Sequence, residues 1–171
     1  MTMFSIYFYF PYYQLEGFQT WIGQVDVKSS PVYFYVRTST DFNTTKTPIP
    51  FDRKILNVGG AMNLTTGKFT APRDGIYSFS FTGLAYFPAS SSRVLLIVYM
   101  YLNGYSIANG FADEDNTAGQ HEPLSFQSTF NLVAGDEIWL EILTMSTGSY
   151  LTGSHYTLFS GYLLEEKIAV A

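Results

Sequence analysis

The sequence predicts an all-β sandwich or barrel. Three observations carry this reading. Aromatic residues are abundant, with 14 Tyr and 15 Phe in 171 residues, and such side chains favour pleated, half-buried surfaces. Short β-type runs recur between clusters of Gly, Pro, Asn and Ser. No window carries a convincing amphipathic helix, and no solenoid-length or heptad repeat occurs.

Taken in order, Val32 to Arg37 reads as the first strand, after a loose lead-in over 14–30. Thr38 to Pro50 is rich in Thr, Asn and Pro and reads as loop. Ile55 to Leu64 reads as short strands broken at Gly59-Gly60, and Lys68 to Ala71 as a short strand closed by Pro72, which lacks a ladder donor. Gly67 and Gly75 flank that strand, where glycine would allow the chain to turn through positive φ. From Ile76 to Ala85 the pattern alternates. Tyr77, Phe79 and Phe81 share one face, and Ser78, Ser80 and Thr82 the other.

Val94 to Leu102 is apolar on both parities. One face meets the core, so Leu95, Ile97, Tyr99 and Tyr101 on the other need a second cover. A neighbouring subunit is the economical cover. The aromatic N-terminal segment of the same chain is the alternative. Asn103-Gly104 then predicts a type I′ hairpin turn, with Tyr105 to Phe111 as the return strand. Ala112 to Pro123 reads as an acidic, polar loop. Ser125 to Val133, Glu137 to Thr144 and Tyr156 to Leu164 complete the strands, with a turn at Gly135-Asp136 and another over Gly148 to Ser154. Asp136 is placed to accept turn N–H groups. Trp139 lies opposite Ile138 and Leu140, as an anchor for either a core or an interface.

Composition excludes several functions. The net charge is −5 with no basic cluster, which argues against binding to nucleic acid, whose phosphates demand grouped Lys and Arg. Cysteine is absent, so disulfides, thiolate zinc sites and thiol catalysis are excluded together. The two histidines, His121 and His155, fall in separate predicted loops, no G-x-S-x-G elbow exists, and Ser90-Ser91-Ser92 reads as a polar turn. The chain is not expected to be an enzyme. Asp113-Glu114-Asp115-Asn116 has oxygen ligands of the kind calcium takes, but not the spacing of a helix-loop-helix calcium loop. A solvated loop is the expected reading, and no cofactor is assigned. Asn43-Thr44-Thr45 and Asn63-Leu64-Thr65 are N-glycosylation sequons.

The stretch Phe51 to Phe81, F-D-R-K-I-L-N-V-G-G-A-M-N-L-T-T-G-K-F-T-A-P-R-D-G-I-Y-S-F-S-F, resembles the signature of the C1q domain. This is the globular head of the complement C1q and tumour-necrosis-factor superfamily. Phe51, Asn57, Gly59, Gly67, Phe69, Pro72, Gly75, Tyr77 and Phe79 stand at its spacing. L-V-A-G-D-E-I-W-L, Leu132 to Leu140, is similar to a second element, through Gly135, Asp136 and Trp139. Y-T-L-F-S-G-Y-L-L, Tyr156 to Leu164, is similar to the last strand, with Phe159 and Gly161 in place.

The resemblance implies a ten-stranded jelly-roll β-sandwich that assembles as a compact homotrimer. It implies extracellular recognition of a protein or carbohydrate ligand by exposed loops, in innate defence or signalling. Some heads of the family bind calcium, but no site residue carries over to this chain. The runner-up reading is a structural jelly roll without a soluble ligand. The expected organisation is a hydrophobic segment and lead-in over 1–30, a head over 31–165 and a tail over 166–171. Met1 to Tyr13 is apolar and aromatic, too short to span a bilayer. It has no basic flank before Lys28 and no A-x-A cleavage site. It reads as a signal remnant, a leader, or a segment packed on the head. No collagen-like Gly-X-Y run precedes the head, so bundling beyond the trimer is not expected.

Overall fold

Alternation of apolar side chains along the chain folds it into two facing antiparallel sheets. The computed structural model describes residues 30–167, so the readings on Met1 to Tyr13 and on the last four residues lie outside them. Eleven strands are present among the described residues: β1 (Tyr33–Arg37), β2 (Arg53–Val58), β3 (Met62–Asn63), β4 (Lys68–Thr70), β5 (Gly75–Phe87), β6 (Val94–Leu102), β7 (Tyr105–Glu114), β8 (Gln120–Leu132), β9 (Glu137–Met145), β10 (Tyr150–Leu151) and β11 (Leu158–Glu166). Two of these, β3 and β10, are two-residue ladders, and counting every ladder gives eleven strands against the expected ten.

The six-stranded sheet is built around β5. Strand β8 pairs along the whole of β5, from Gly75↔Leu132 to Phe87↔Gln120. Strands β11 and β10 pair with β5 as well, and β1 and β2 follow beyond β11. The five-stranded sheet runs β3-β4-β9-β6-β7. The segment between β1 and β2 carries no strand but ties the two sheets together. Phe42 exchanges backbone bonds with Leu151 at 2.9 Å in both directions, and Lys46 and Ile49 donate to Ile142 and Leu140 of β9.

The core is a stack of aromatic rings between the sheets. Phe51, Phe69, Tyr77, Phe79, Phe81, Phe87 and Phe159 have no solvent exposure. Phe34 packs edge-on to Phe159 at 4.9 Å and against Phe69 at 5.4 Å. Edge-to-face and offset contacts of this kind add stability beyond area burial, about 0.5–1.5 kcal/mol per pair. The Tyr77 hydroxyl satisfies itself by donating to the Arg73 carbonyl at 2.8 Å, and burial raises its pKa.

Three local readings need correction. The acidic loop is shorter than Ala112 to Pro123, because β7 runs to Glu114 and β8 starts at Gln120. Register with Tyr86 and Phe87 recruits His121 and Gln120 into the ladder, and tertiary pairing overrides their polar character. His121 therefore stands in a strand, not a loop. Gly75 is no turn residue. It is the first residue of β5 and lacks positive φ. Its smallness is required instead by close packing, since a Cβ there would fall 2.8 Å from Leu163 Cδ1.

Candidate assembly faces and recognition loops

Strand β6 is apolar on both faces. Val94, Leu96, Val98 and Met100 point into the core and are buried, while Leu95, Ile97, Tyr99 and Tyr101 point outward and are half-buried. Part of the outward cover comes from the same protomer. Trp139 of β9 lies in register with Tyr101 of β6, and their rings stack at 5.6 Å with 13° between planes. Lys68 Nζ sits 4.2 Å above the Trp139 ring and pairs with Glu137 at 2.9 Å. The indole Nε1 donates to Glu141 at 2.8 Å. Trp139 is thus an anchor on the outer side of its sheet, largely buried within its own protomer. It is 9% exposed and covers the outer side of its own sheet. Burial, with Glu141 and Tyr99 nearby, raises the pKa of Tyr101.

The six-stranded sheet carries a second outward apolar surface. Tyr33, Leu56, Ile76, Tyr162 and Leu164 are all exposed there, between 37% and 54%. Tyr33 faces Tyr162 across the ladder, and Tyr35 faces Leu56. No local sequence pattern singles out these residues as one surface. The outward parity of β1 and β11 is legible in the alternation, but each strand offers only one or two apolar positions. Their assembly into one surface is a product of strand order.

The motif residues act locally to hold the fold. Asn57 clamps the β2–β3 turn, donating from Nδ2 to the Met62 carbonyl at 2.7 Å and accepting from Met62 N at 3.2 Å. Gly59, Gly67 and Gly135 have φ of 84°, 70° and 93°, which L side chains rarely adopt. Asp136 accepts from Val133 N and from Asn103 Nδ2, both at 2.8 Å. It thereby joins the β8–β9 turn to the Asn103-Gly104 hairpin, whose φ values of 50° and 91° fit type I′. Pro72 is exposed just after β4.

The exposed loops gather in part. Asp41 Oδ1 accepts from Gly153 N at 2.8 Å, and Arg37 meets His155, so the 38–50 and 148–155 segments share one end of the sandwich. Asp52 accepts from Ser39 through both the hydroxyl and the amide, the latter at 2.7 Å. Burial would raise the Asp52 pKa, but these bonds and Arg53 outweigh it and hold the carboxyl below its ordinary value. Ser90 Oγ donates to Ser92 O at 2.9 Å, which makes that serine run a self-bonded turn. Among the described residues no group of three or more His, Asp or Glu is placed to hold a metal ion. Asp113 is drawn instead to Arg93 at 2.6 Å.

Solved structures share this fold. The globular domain of zebrafish complement 1qA protein superposes with a TM-score of 0.59 at 22% identity, over 81% of this chain and 100% of that one. A tumour-necrosis-factor homologue, Eiger from S. frugiperda, gives 0.60 at 9% identity, over 84% and 98%. Among relatives in sequence, complement C1q tumor necrosis factor-related protein 3 of Mus musculus is 29% identical over 137 residues. That match covers 79% of this chain and 52% of the relative. The related protein 2 of Mus musculus is 29% identical over 133 residues, covering 77% and 42%. The chain therefore spans about half the length, or less, of these relatives. The C1q domain profile matches residues 33–164, from the first strand of the six-stranded sheet to the last, and the chain belongs to the C1q domain family.

Proposed function

We propose that this chain is a non-enzymatic extracellular recognition head that associates as a homotrimer and presents its loops to a protein or carbohydrate ligand. The observation that carries the reading is the apolar covering on the outward sides of both sheets, which a lone protomer leaves in contact with water. Surfaces of this kind mark contacts between proteins. Relatives named for complement C1q and tumour necrosis factor support the same reading. The proposed contact on the five-stranded side is Leu95, Ile97, Tyr99 and Tyr101. The exposed set on the six-stranded side, Tyr33, Leu56, Ile76, Tyr162 and Leu164, is a second surface available to a neighbouring subunit. Ligand recognition falls to the loop cluster of 38–50 and 148–155 and to the loop between β7 and β8, because loops on a rigid sandwich carry binding while the sheets carry stability. No cofactor is required.

Light scattering on the native protein tests the reading. A trimer mass at micromolar concentration is expected, and a monomer at that concentration overturns it. Ile97→Asp and Tyr162→Asp place a charge on one outward face each. The substitution that lowers the mass to a monomer while leaving a cooperative unfolding transition identifies the face in use. A glycan and protein-binding array then tests recognition, with saturable binding expected.

A further inference from the structure

The Asn103-Gly104 turn carries chemistry as well as shape. It forms the tip between β6 and β7, with Asn103 at φ 50° and Gly104 at 91°. The Asn103 side chain reaches across to the β8–β9 turn. Its Nδ2 donates to Asp136 Oδ1 at 2.8 Å, and its Oδ1 accepts from Glu137 N at 2.9 Å. Its backbone N donates to the Glu137 carbonyl at 3.0 Å. Both polar atoms of the side-chain amide are therefore in use. Asp136 is held from the other side, since its Oδ2 accepts from Val133 N at 2.8 Å. The same turn is pinned by Ala71, whose N donates to the Asp136 carbonyl and whose carbonyl accepts from Gly135 N, both at 2.8 Å. One amide thus latches a hairpin of the five-stranded sheet to the turn that joins the two sheets.

We infer that Asn103 is a site of intramolecular deamidation that the closed latch suppresses, and that conversion, once it has occurred, holds the latch open. An Asn before Gly is a reactive setting, because glycine has no side chain to hinder attack by its own backbone nitrogen. The Gly104 nitrogen bonds to Asn103 Cγ, the Cγ–Nδ2 bond breaks, and ammonia leaves with the Gly104 amide proton. Water then opens the imide ring at one carbonyl or the other, which leaves Asp or isoaspartate. Cγ must turn onto the Gly104 nitrogen for this to happen. The bonds at both ends of the amide oppose that motion, and the one to Asp136 is charge-assisted. The product replaces the donating Nδ2 with an oxygen. A carboxylate then faces the Asp136 carboxylate, acceptor against acceptor and with like charge. Isoaspartate in addition lengthens the backbone of the turn by a methylene. Asn109-Gly110 is the second such pair in the chain. It lies inside β7, opposite Tyr99 and Val98, and takes no part in the latch.

The test incubates the full native chain in mildly alkaline buffer, with and without denaturing guanidinium chloride. Peptide mapping follows the mass gain of amide-to-acid conversion, and cleavage after Tyr105 puts Asn103 and Asn109 on separate peptides. Conversion at Asn103 is expected to run at least about tenfold faster in denaturant, since the folded chain reacts only from an opened turn. Asn103→Asp is expected to lower the melting temperature by about 5–10 °C. Adding Asp136→Asn to that variant exchanges donor and acceptor across the latch, and is expected to regain most of the loss. Absence of conversion at Asn103 in denaturant, or equal rates with and without it, overturns the inference. So does an Asn103→Asp protein that melts with the wild type, or a double variant no more stable than the single one. Where Asn103→Asp does not fold, a folded double variant upholds the latch and an unfolded one overturns it.

Discussion

Tyr101 and Trp139 are cross-strand neighbours whose rings stack at 5.6 Å on the outer side of the five-stranded sheet. The pair explains how a motif tryptophan on the face away from the core is still 9% exposed. It predicts measurable coupling. A double-mutant cycle of Tyr101→Ala and Trp139→Ala, followed by urea unfolding, should give an interaction energy of about 0.5–1.5 kcal/mol. A value near zero would mean that the stack contributes only buried area.

Gly161 sits where two core rings converge. A Cβ at this position would lie 2.6 Å from Phe79 Cδ1 and 2.7 Å from Phe34 Cε1. Gly161→Ala is therefore expected to destabilise the fold by about 1–3 kcal/mol through overpacking. The check is a lower denaturation midpoint with an unchanged slope. Truncation of its neighbour, Phe159→Ala, should cost about 3–5 kcal/mol as a cavity.

Asp52 links the 38–50 loop to the start of β2 through Ser39. Its folded pKa lies below the ordinary 3.8. The bonds to the charged carboxylate thus stabilise the folded state above that value, and the contribution is lost as pH falls through the lowered folded pKa. Asp52→Asn should lower the melting temperature at neutral pH. The gap between wild type and variant should close when both are melted well below pH 3.8. A gap that is constant with pH would show that charge plays no part.

Calcium is expected to have no specific effect. Asp113 is engaged by Arg93, and no acidic cluster among the described residues is arranged around a cation. Isothermal titration with Ca²⁺ should give no saturable heat and no rise in melting temperature. Saturable heat with stabilisation would establish a site formed on binding or between subunits.

Much of this molecule follows from the sequence alone. Alternation on β5 put Tyr77, Phe79 and Phe81 on the core side, and they are fully buried. The Asn103-Gly104 and Gly135-Asp136 turns were legible because each demands positive φ at a fixed place. The double apolarity of β6 was legible as a need for a second cover, since a strand's two parities report on its two faces independently. Tertiary structure alone decided which part of that cover the same protomer supplies, at Tyr101. The register of β6 with β9 brought Trp139 over Tyr101, and no local pattern encodes a partner some forty positions away in the chain. Strand order likewise gathered Tyr33 and Tyr162 from opposite ends of the head onto one face. It also drew Gln120 and His121 out of an apparent loop into the ladder along β5. Local patterns specify which way a side chain points, whereas long-range pairing specifies what it meets.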